Sequence, residues 1–301
     1  MQRPLVTSAC LIFALACTPA EPGTGESSDT SSSDTTAGGT DTTDGTDTFS
    51  TSGDGDGDTG AEVLATIDGM VADMESNPLP TPGLQFCGPV DEGGAVKLCI
   101  PVPVDETGAF NIGVTELGVW NLKVVHGNVD GRYFAGQAFQ LTINEDDSFD
   151  FTSPPIVVPE ITEVTDLSAA MGETAVTIDA VLRVTLDPEL SQSPDFTPPS
   201  ELGGIEVPAE FWRVTEVDGS PVIAAWAFNP FGVHALEGEF GFEIAGGLGL
   251  APGDPVTIHY IEKVNGVIHE AGTGIVNAQA DGIDITITDG LHELSWLLVT
   301  G

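Results

Sequence analysis

The chain is expected to be all-β, as two consecutive β-sandwich domains preceded by a signal peptide and a disordered acidic linker. Three observations lead there. Beyond Ala61 the sequence turns into short runs rich in Val, Ile, Thr and aromatic residues, separated by Gly, Pro, Asn and Asp, as strands and turns require. These runs recur at roughly ten-residue spacing, the rhythm of a sandwich or barrel. No long helical period interrupts them, and the best short helix candidate, residues 167–172, reads as a loop turn.

The N-terminal segment is the first element to place. Residues 1–16 carry one basic residue, Arg3, followed by a mostly apolar run ending in small residues, the profile of a secretory signal. That run is too short to span a bilayer, and no later stretch reaches about eighteen consecutive apolar residues. Its end, Ala14-Leu15-Ala16-Cys17, resembles the lipobox of bacterial lipoproteins, although Ala14 stands where a larger branched residue is usual. The resemblance implies lipidation of Cys17 as the mature first residue; the alternative is ordinary cleavage nearby, leaving a soluble secreted protein. Several acyl chains at ~0.8 kcal/mol per buried methylene would make the anchor stable. Cys10 lies too early in the apolar run to compete.

Residues 17–62 form the next element. They consist mostly of Thr, Ser, Asp and Gly with Phe49 as the sole aromatic, so they bury too little surface to offset their ordering entropy. A coil of this length spans roughly 35–40 Å, and charge of one sign extends it. Within it, Asp54-Gly55-Asp56-Gly57-Asp58 suggests a calcium loop. Counting from Asp54, however, puts Thr59 and Ala65 where an EF-hand needs Gly and Glu. The segment reads as a low-complexity tether, and its hydroxyls are of the type that accepts O-linked sugars.

Charge limits the partners. Residues 18–62 hold 11 acidic and no basic residues, and residues 63–301 hold 36 acidic against 6 basic. Nucleic acid is excluded as a partner, because phosphate contacts need clustered Lys and Arg, whereas Lys97, Lys123, Arg132, Arg183, Arg213 and Lys263 are scattered. The same argument disfavours anionic membrane surfaces, so the expected membrane contact is the lipid anchor alone. Solubility in a salty medium accounts for the acidity; divalent-cation binding is the functional alternative.

The first folded domain is expected over residues 63–161. Ala65-Thr66-Ile67-Asp68-Gly69-Met70-Val71, the Pro-rich Pro78-Leu79-Pro80-Thr81-Pro82-Gly83, Asp105-Glu106-Thr107-Gly108-Ala109-Phe110-Asn111-Ile112 and Gly118-Val119-Trp120-Asn121-Leu122-Lys123-Val124 stand in order. Together they resemble the carboxypeptidase-regulatory-like family. That resemblance covers about a third of the chain and implies a transthyretin-like sandwich acting as a non-catalytic accessory module. Gly108 permits a tight reversal, while Phe110 and Ile112 alternate inward. Trp120, where the family commonly has Tyr, reads as a core anchor, with a ligand-stacking platform as the alternative. Transthyretin-like hydroxyisourate hydrolases end in Tyr-Arg-Gly-Ser, whereas this chain ends Leu298-Val299-Thr300-Gly301, so that enzymatic reading is dropped.

Cys87 and Cys99 flank a hairpin with Asp91-Glu92-Gly93-Gly94 in its loop. If Asp91 pairs with Ala95, then Cys87 pairs with Cys99 in register. In an exported protein a disulfide is expected there, stabilising by roughly 3 kcal/mol on the chain-entropy model, and a free thiol pair is the alternative.

The second domain is expected over residues 162–301, its family unidentified. Residues 176–186 alternate as one half-buried strand, and a Pro-rich stretch at 188–208 separates it from the rest. Further strands are expected at 211–217, 222–228, 240–244, 283–288 and 294–299. The clearest signal is a hairpin of 256–264 and 267–275 around Asn265-Gly266, a two-residue type I′ turn that would put Glu262 opposite His269.

Chemistry is sparse. The sequence has no Gly-x-Ser-x-Gly elbow, no His-Glu-x-x-His and no phosphate loop, and His126, His234, His259, His269 and His292 are dispersed. No catalytic residue and no cofactor is expected. The weak metal candidates are Asp146, Asp147 and Asp150, at an expected hairpin tip where alternate oxygens could converge on Ca²⁺; a solvated turn is the plainer reading. Trp212, Trp226 and Trp296 fall in apolar runs and read as core. The expected role is a lipid-anchored structural or adhesive module of the outer membrane or cell surface. The alternative is a module binding carbohydrate or Ca²⁺, with a surface polymer or protein as partner, and a secreted hydrolase is the remotest reading. An exposed row of Trp and Tyr would favour polymer binding; enclosed Trp rings would favour the structural role.

Overall fold

The first half of the folded body opens with β1 (Ala65–Ala72), β2 (Gly83–Val90), β3 (Val96–Val102), β4 (Ala109–Val114) and β5 (Gly118–Val125). It continues through β6 (Asn128–Val129), β7 (Arg132–Phe134), β8 (Gln137–Ile143), β9 (Ser148–Val157) and β10 (Glu160–Ile161). This computed structural model describes residues 62–79, 82–125, 128–129 and 131–301. The signal segment, Cys17, the Asp54 motif, the rest of the tether up to residue 61 and His126 lie outside the described residues.

Two sheets, in strand order β4-β1-β9 and β3-β2-β5-β8, enclose one apolar core. Period-2 alternation builds it: Ile67 and Val71 point inward from β1, Phe110 and Ile112 from β4, and Leu122 and Val124 from β5. Trp120 is enclosed, stacks on Phe86 with ring centroids 4.3 Å apart and donates its Nε1–H to the Glu116 carbonyl, as a core anchor does. Gly108 takes a φ of +78°, and an added Cβ would sit 2.4 Å from the Val71 carbonyl oxygen.

The second half comprises β11 (Val164–Asp166), β12 (Thr174–Thr177), β13 (Leu182–Leu186), β14 (Ser191–Gln192), β15 (Glu201–Glu206), β16 (Glu216–Val217) and β17 (Ser220–Asn229). After these come β18 (Val233–Ala235), β19 (Gly241–Ile244), β20 (Pro255–Ile261), β21 (Ile268–Val276), β22 (Ile283–Ile287), β23 (Glu293–Leu294) and β24 (Trp296–Thr300). One large sheet runs β11-β15-β17-β24-β20-β21-β22, with β16 attached to β17, and the smaller sheets β12-β13-β19 and β14-β18-β23 accompany it. β24 is buried along its whole length because it lies between β17 and β20.

The all-β expectation holds, and the structure corrects several details within it. Residues 176–186 are a hairpin rather than one strand: Asp179 Oδ1 accepts the Val181 and Leu182 N–H groups at 2.7 Å and turns the chain. The apolar alternation survived the reversal because Val176 pairs with Val184 on one face. The Pro-rich stretch contains β15, an inner strand of the large sheet. Residues 211–217 form a 3₁₀ turn end and the short β16, so Trp212 lies outside any strand. The Asn144–Asp150 segment does not close a hairpin: β9 leaves β8 and pairs in parallel with β1, tied by Asp146 N–H to the Leu64 carbonyl at 2.8 Å.

A third apolar cluster joins the halves. Ala135, Ala138 and Ile161 from the first half pack against Ala225, Phe231, Ile261, Trp296 and Leu298 from the second. Gly136 makes this approach feasible, since an added Cβ would stand 2.2 Å from the Phe231 ring. The Trp296 Nε1–H donates to the Gly136 carbonyl at 2.8 Å, and the Asn229 amide donates to the Phe134 carbonyl at 2.6 Å. All described residues fall in one compact unit.

Candidate functional site

The chemistry of the body gathers at this seam. The loop 263–266, between β20 and β21, reaches from the second half onto β5 and β8 of the first. Asn121 Nδ2 donates to the Lys263 and Val264 carbonyls at 3.0 Å, and Gln140 Nε2 donates to the Asn265 carbonyl at 3.1 Å. Asn265, itself buried, donates through Nδ2 to the Gly94 carbonyl at 3.0 Å and to Glu262 Oε2 at 2.7 Å, and accepts the Val267 N–H at 2.8 Å.

These contacts explain why the expected two-residue turn is absent. Ile261 pairs with Ile268 and Tyr260 with His269, the Glu262 N–H donates to the Val267 carbonyl, and a four-residue loop closes with Gly266 at a φ of +72°. Glu262 is therefore not directly opposite His269. The two still meet diagonally, with His269 Nε2 3.0 Å from Glu262 Oε2 and the imidazole stacked on Tyr260 at 5.1 Å.

Behind the loop lies a cluster of charged groups. Glu293 and Lys123 are buried and Lys263 is half-buried. Burial pushes the Glu293 carboxyl up to about 7, the Lys263 N–H drawing it back only in part. Burial, with the Lys123 charge beside it, brings the Lys263 ammonium down to about 8, and Lys123 is lowered by burial in turn. Such displaced values mark groups removed from water faster than partners repay them. Consistent with that, Glu293 Oε2, Asn121 Oδ1 and Gln137 Oε1 are buried without a hydrogen-bond partner among the described residues.

Two clefts flank the docked loop. One, of about 660 Å³, is lined by Phe139, Gln140, Phe151, Arg213, Glu216 and Asp218 among others. Arg213 lies over the Phe151 ring at 5.4 Å and donates to the Pro154 and Pro155 carbonyls, so its guanidinium stitches the second half to β9. The other, of about 450 Å³, is lined by Asp91, Glu92, Glu262, Asn265 and His269.

The residues singled out from sequence fall elsewhere. Cys87 and Cys99 are joined in a disulfide and lie directly opposite in register, Cys87 enclosed and Cys99 exposed on the edge strand β3. Asp147 Oδ2 accepts the Asn144 N–H and amide, and Asp150 Oδ1 accepts the Thr152 N–H and hydroxyl. Asp146 occupies the turn at a φ of +66°. Asp146 and Asp147 thus belong to the one turn over residues 144–147 and Asp150 caps its own segment of β9. Among the described residues no three His, Cys, Asp or Glu side chains are grouped as metal ligands. Sequence reasoning missed Glu293, Lys123 and Asn121 as a cluster; two strands far apart in the chain, β5 and β23, contribute them, and no local spacing encodes that meeting.

No protein-family model and no curated protein matches the chain. Among solved structures it is similar to a DUF3823 family protein from Bacteroides ovatus at 10% identity, covering 77% of this chain and 98% of that one, with a TM-score of 0.22. A candidate carbohydrate-binding protein from Bacteroides uniformis matches at 8% identity over 79% of this chain and 99% of that one, TM-score 0.23. The major pilin subunit of Bacillus cereus matches at 6% identity over 79% and 95%, TM-score 0.26. Scores this low carry neither a shared fold nor a shared function over to this chain.

Proposed function

We propose that the chain is an exported surface protein, anchored by lipid at Cys17 and held off its membrane by the tether 17–62, whose body is a non-catalytic structural or adhesive display module. The body is read as a carboxypeptidase-regulatory-like domain over 63–161 followed by a second β domain over 162–301, docked along the seam. The observation that carries this reading is the use made of tryptophan. Trp120, Trp226 and Trp296 are 4%, 0% and 3% exposed, and each indole N–H is spent inside the body, on Glu116, Asp179 and Gly136 respectively. Trp212 is half-buried and bonded to the Val207 carbonyl. Rings that would form a stacking platform for a polymer are instead core and pins, which suits a load-bearing unit better than a sugar reader. The Cys87–Cys99 disulfide accords with an oxidising compartment.

The test is mass spectrometry of the mature full chain made in a bacterial host, alongside Cys17→Ser. An acylated Cys17 with membrane retention, abolished by the substitution, is expected. A mature N-terminus elsewhere without acyl chains would remove the anchor, and saturable glycan binding by the intact protein would replace display with polymer recognition.

A further inference from the structure

Glu293 sits at the centre of the seam and is 2% exposed. Its Oε1 accepts the Lys263 N–H at 2.6 Å, which fixes the first residue of the loop that docks on β5 and β8. Its Oε2 receives no hydrogen bond, and His234, its register partner on β18, places Nε2 3.3 Å away. The other groups facing the carboxyl are Lys263 and Glu262 from the β20–β21 loop, Lys123 from β5, Tyr260 from β20 and the Ser295 hydroxyl. His234 is 42% exposed, so protons reach the couple from solvent. On the far side of the same loop Asn121 Oδ1 is also unpaired.

We propose that the His234–Glu293 couple is a proton latch on the seam: with a proton held on the couple the halves stay docked, and its loss loosens loop 263–266 from β5 and β8. The physical reason is the orphan oxygen. Once ionised, a carboxylate this deeply buried, whose second oxygen has only the His234 imidazole at 3.3 Å and the Ser295 hydroxyl beside it, must draw water inward, and the path for that water is the seam itself. Protonated, the same group is a neutral acid whose burial costs far less. Lys123 and Lys263 temper the charged state, while Glu262 aggravates it.

The titration agrees in sign. The Glu293 carboxyl is raised to about 7, so its contribution is fully present below the ordinary carboxylate value of 4.5 and is lost as pH rises through about 7. Burial and the nearby Lys263 hold His234 below its ordinary 6.5, so above neutrality it is uncharged and offers the carboxylate no counter-charge.

Hydrogen exchange of the full chain at pH 5.5 and 8, corrected for intrinsic rates, tests the latch. Peptides over residues 118–125 and 260–268 are expected to open at least about tenfold more at pH 8, while β1 stays unchanged. Glu293→Gln, a permanent mimic of the neutral acid, is expected to keep the seam protected at both pH values. Should that variant fail to fold, Lys263→Met serves: it removes a cation that favours the carboxylate, so release is expected at higher pH than in the unaltered chain. Seam protection that is independent of pH in the unaltered chain, or an identical pH response in the variant tested, overturns the proposal.

Discussion

Two hairpin tips meet at the seam, and they are held by different means. The β2–β3 tip is self-sufficient: Asp91 Oδ1 accepts the Gly93 and Ala95 N–H groups at 2.9 Å, Gly94 supplies a φ of +81°, and the disulfide closes the ladder below. The β20–β21 tip depends on groups from the other half, with its carbonyls capped by Asn121 and Gln140 and its Asn265 amide spent on Gly94. The first can form before the halves meet; the second takes its observed shape only when they have. A loop whose backbone partners are remote reports on docking, whereas one capped by its own aspartate reports on itself.

That contrast can be broken from several sides. Trp296→Ala should have the largest effect, because the ring is both core and seam pin; a loss of about 3–5 kcal/mol is expected by chemical denaturation, with the β20–β21 tip losing more exchange protection than the β2–β3 tip. If the β20–β21 tip keeps its protection, that loop does not rely on docking. Next, Cys87→Ser with Cys99→Ser should cost roughly 3 kcal/mol through the unfolded state, leaving the β20–β21 loop intact in the folded protein.

Asn265→Ala is expected to cost about 2 kcal/mol, since it strands partly buried partners on both halves. Asp91→Ala, which removes an exposed local cap, should cost about 1 kcal/mol and remain confined to its own tip. Equal effects of these two substitutions on seam exchange would erase the distinction between the tips. Combining them measures how far the contact at Gly94 transmits: a coupling above about 0.5 kcal/mol is expected for tips that touch.

The legibility of each region follows the same division. The Cys87–Cys99 register was readable because a short Gly loop and two cysteines fix it within thirteen residues of chain. Asn265-Gly266 carried an equally familiar turn signal, yet Val267 faces Glu262 rather than Val264, a register shift of two positions, because capping from β5 and β8 outweighed the local preference. The alternation of residues 176–186 gave the right buried face and the wrong topology, since a face is a property of side chains and a reversal needed only Asp179. The carboxylates at 146, 147 and 150 were conspicuous in sequence, but Asp147 and Asp150 each spend an oxygen on a local turn, and Asp146 enters its turn through its backbone.

By itself the sequence determined the all-β class, the enclosure of Trp120, Trp226 and Trp296 though not of Trp212, the paired cysteines and the want of any recognisable catalytic motif, because those depend on alternation, composition and short spacing. Only the tertiary structure decided that β9 joins β1 in parallel, that β24 lies inside the large sheet, and that Glu293, Lys123, Lys263 and Asn121 share one buried seam. Such meetings arise from loop closure over tens to more than a hundred residues, and the burial that shifts those charges exists only after closure has occurred.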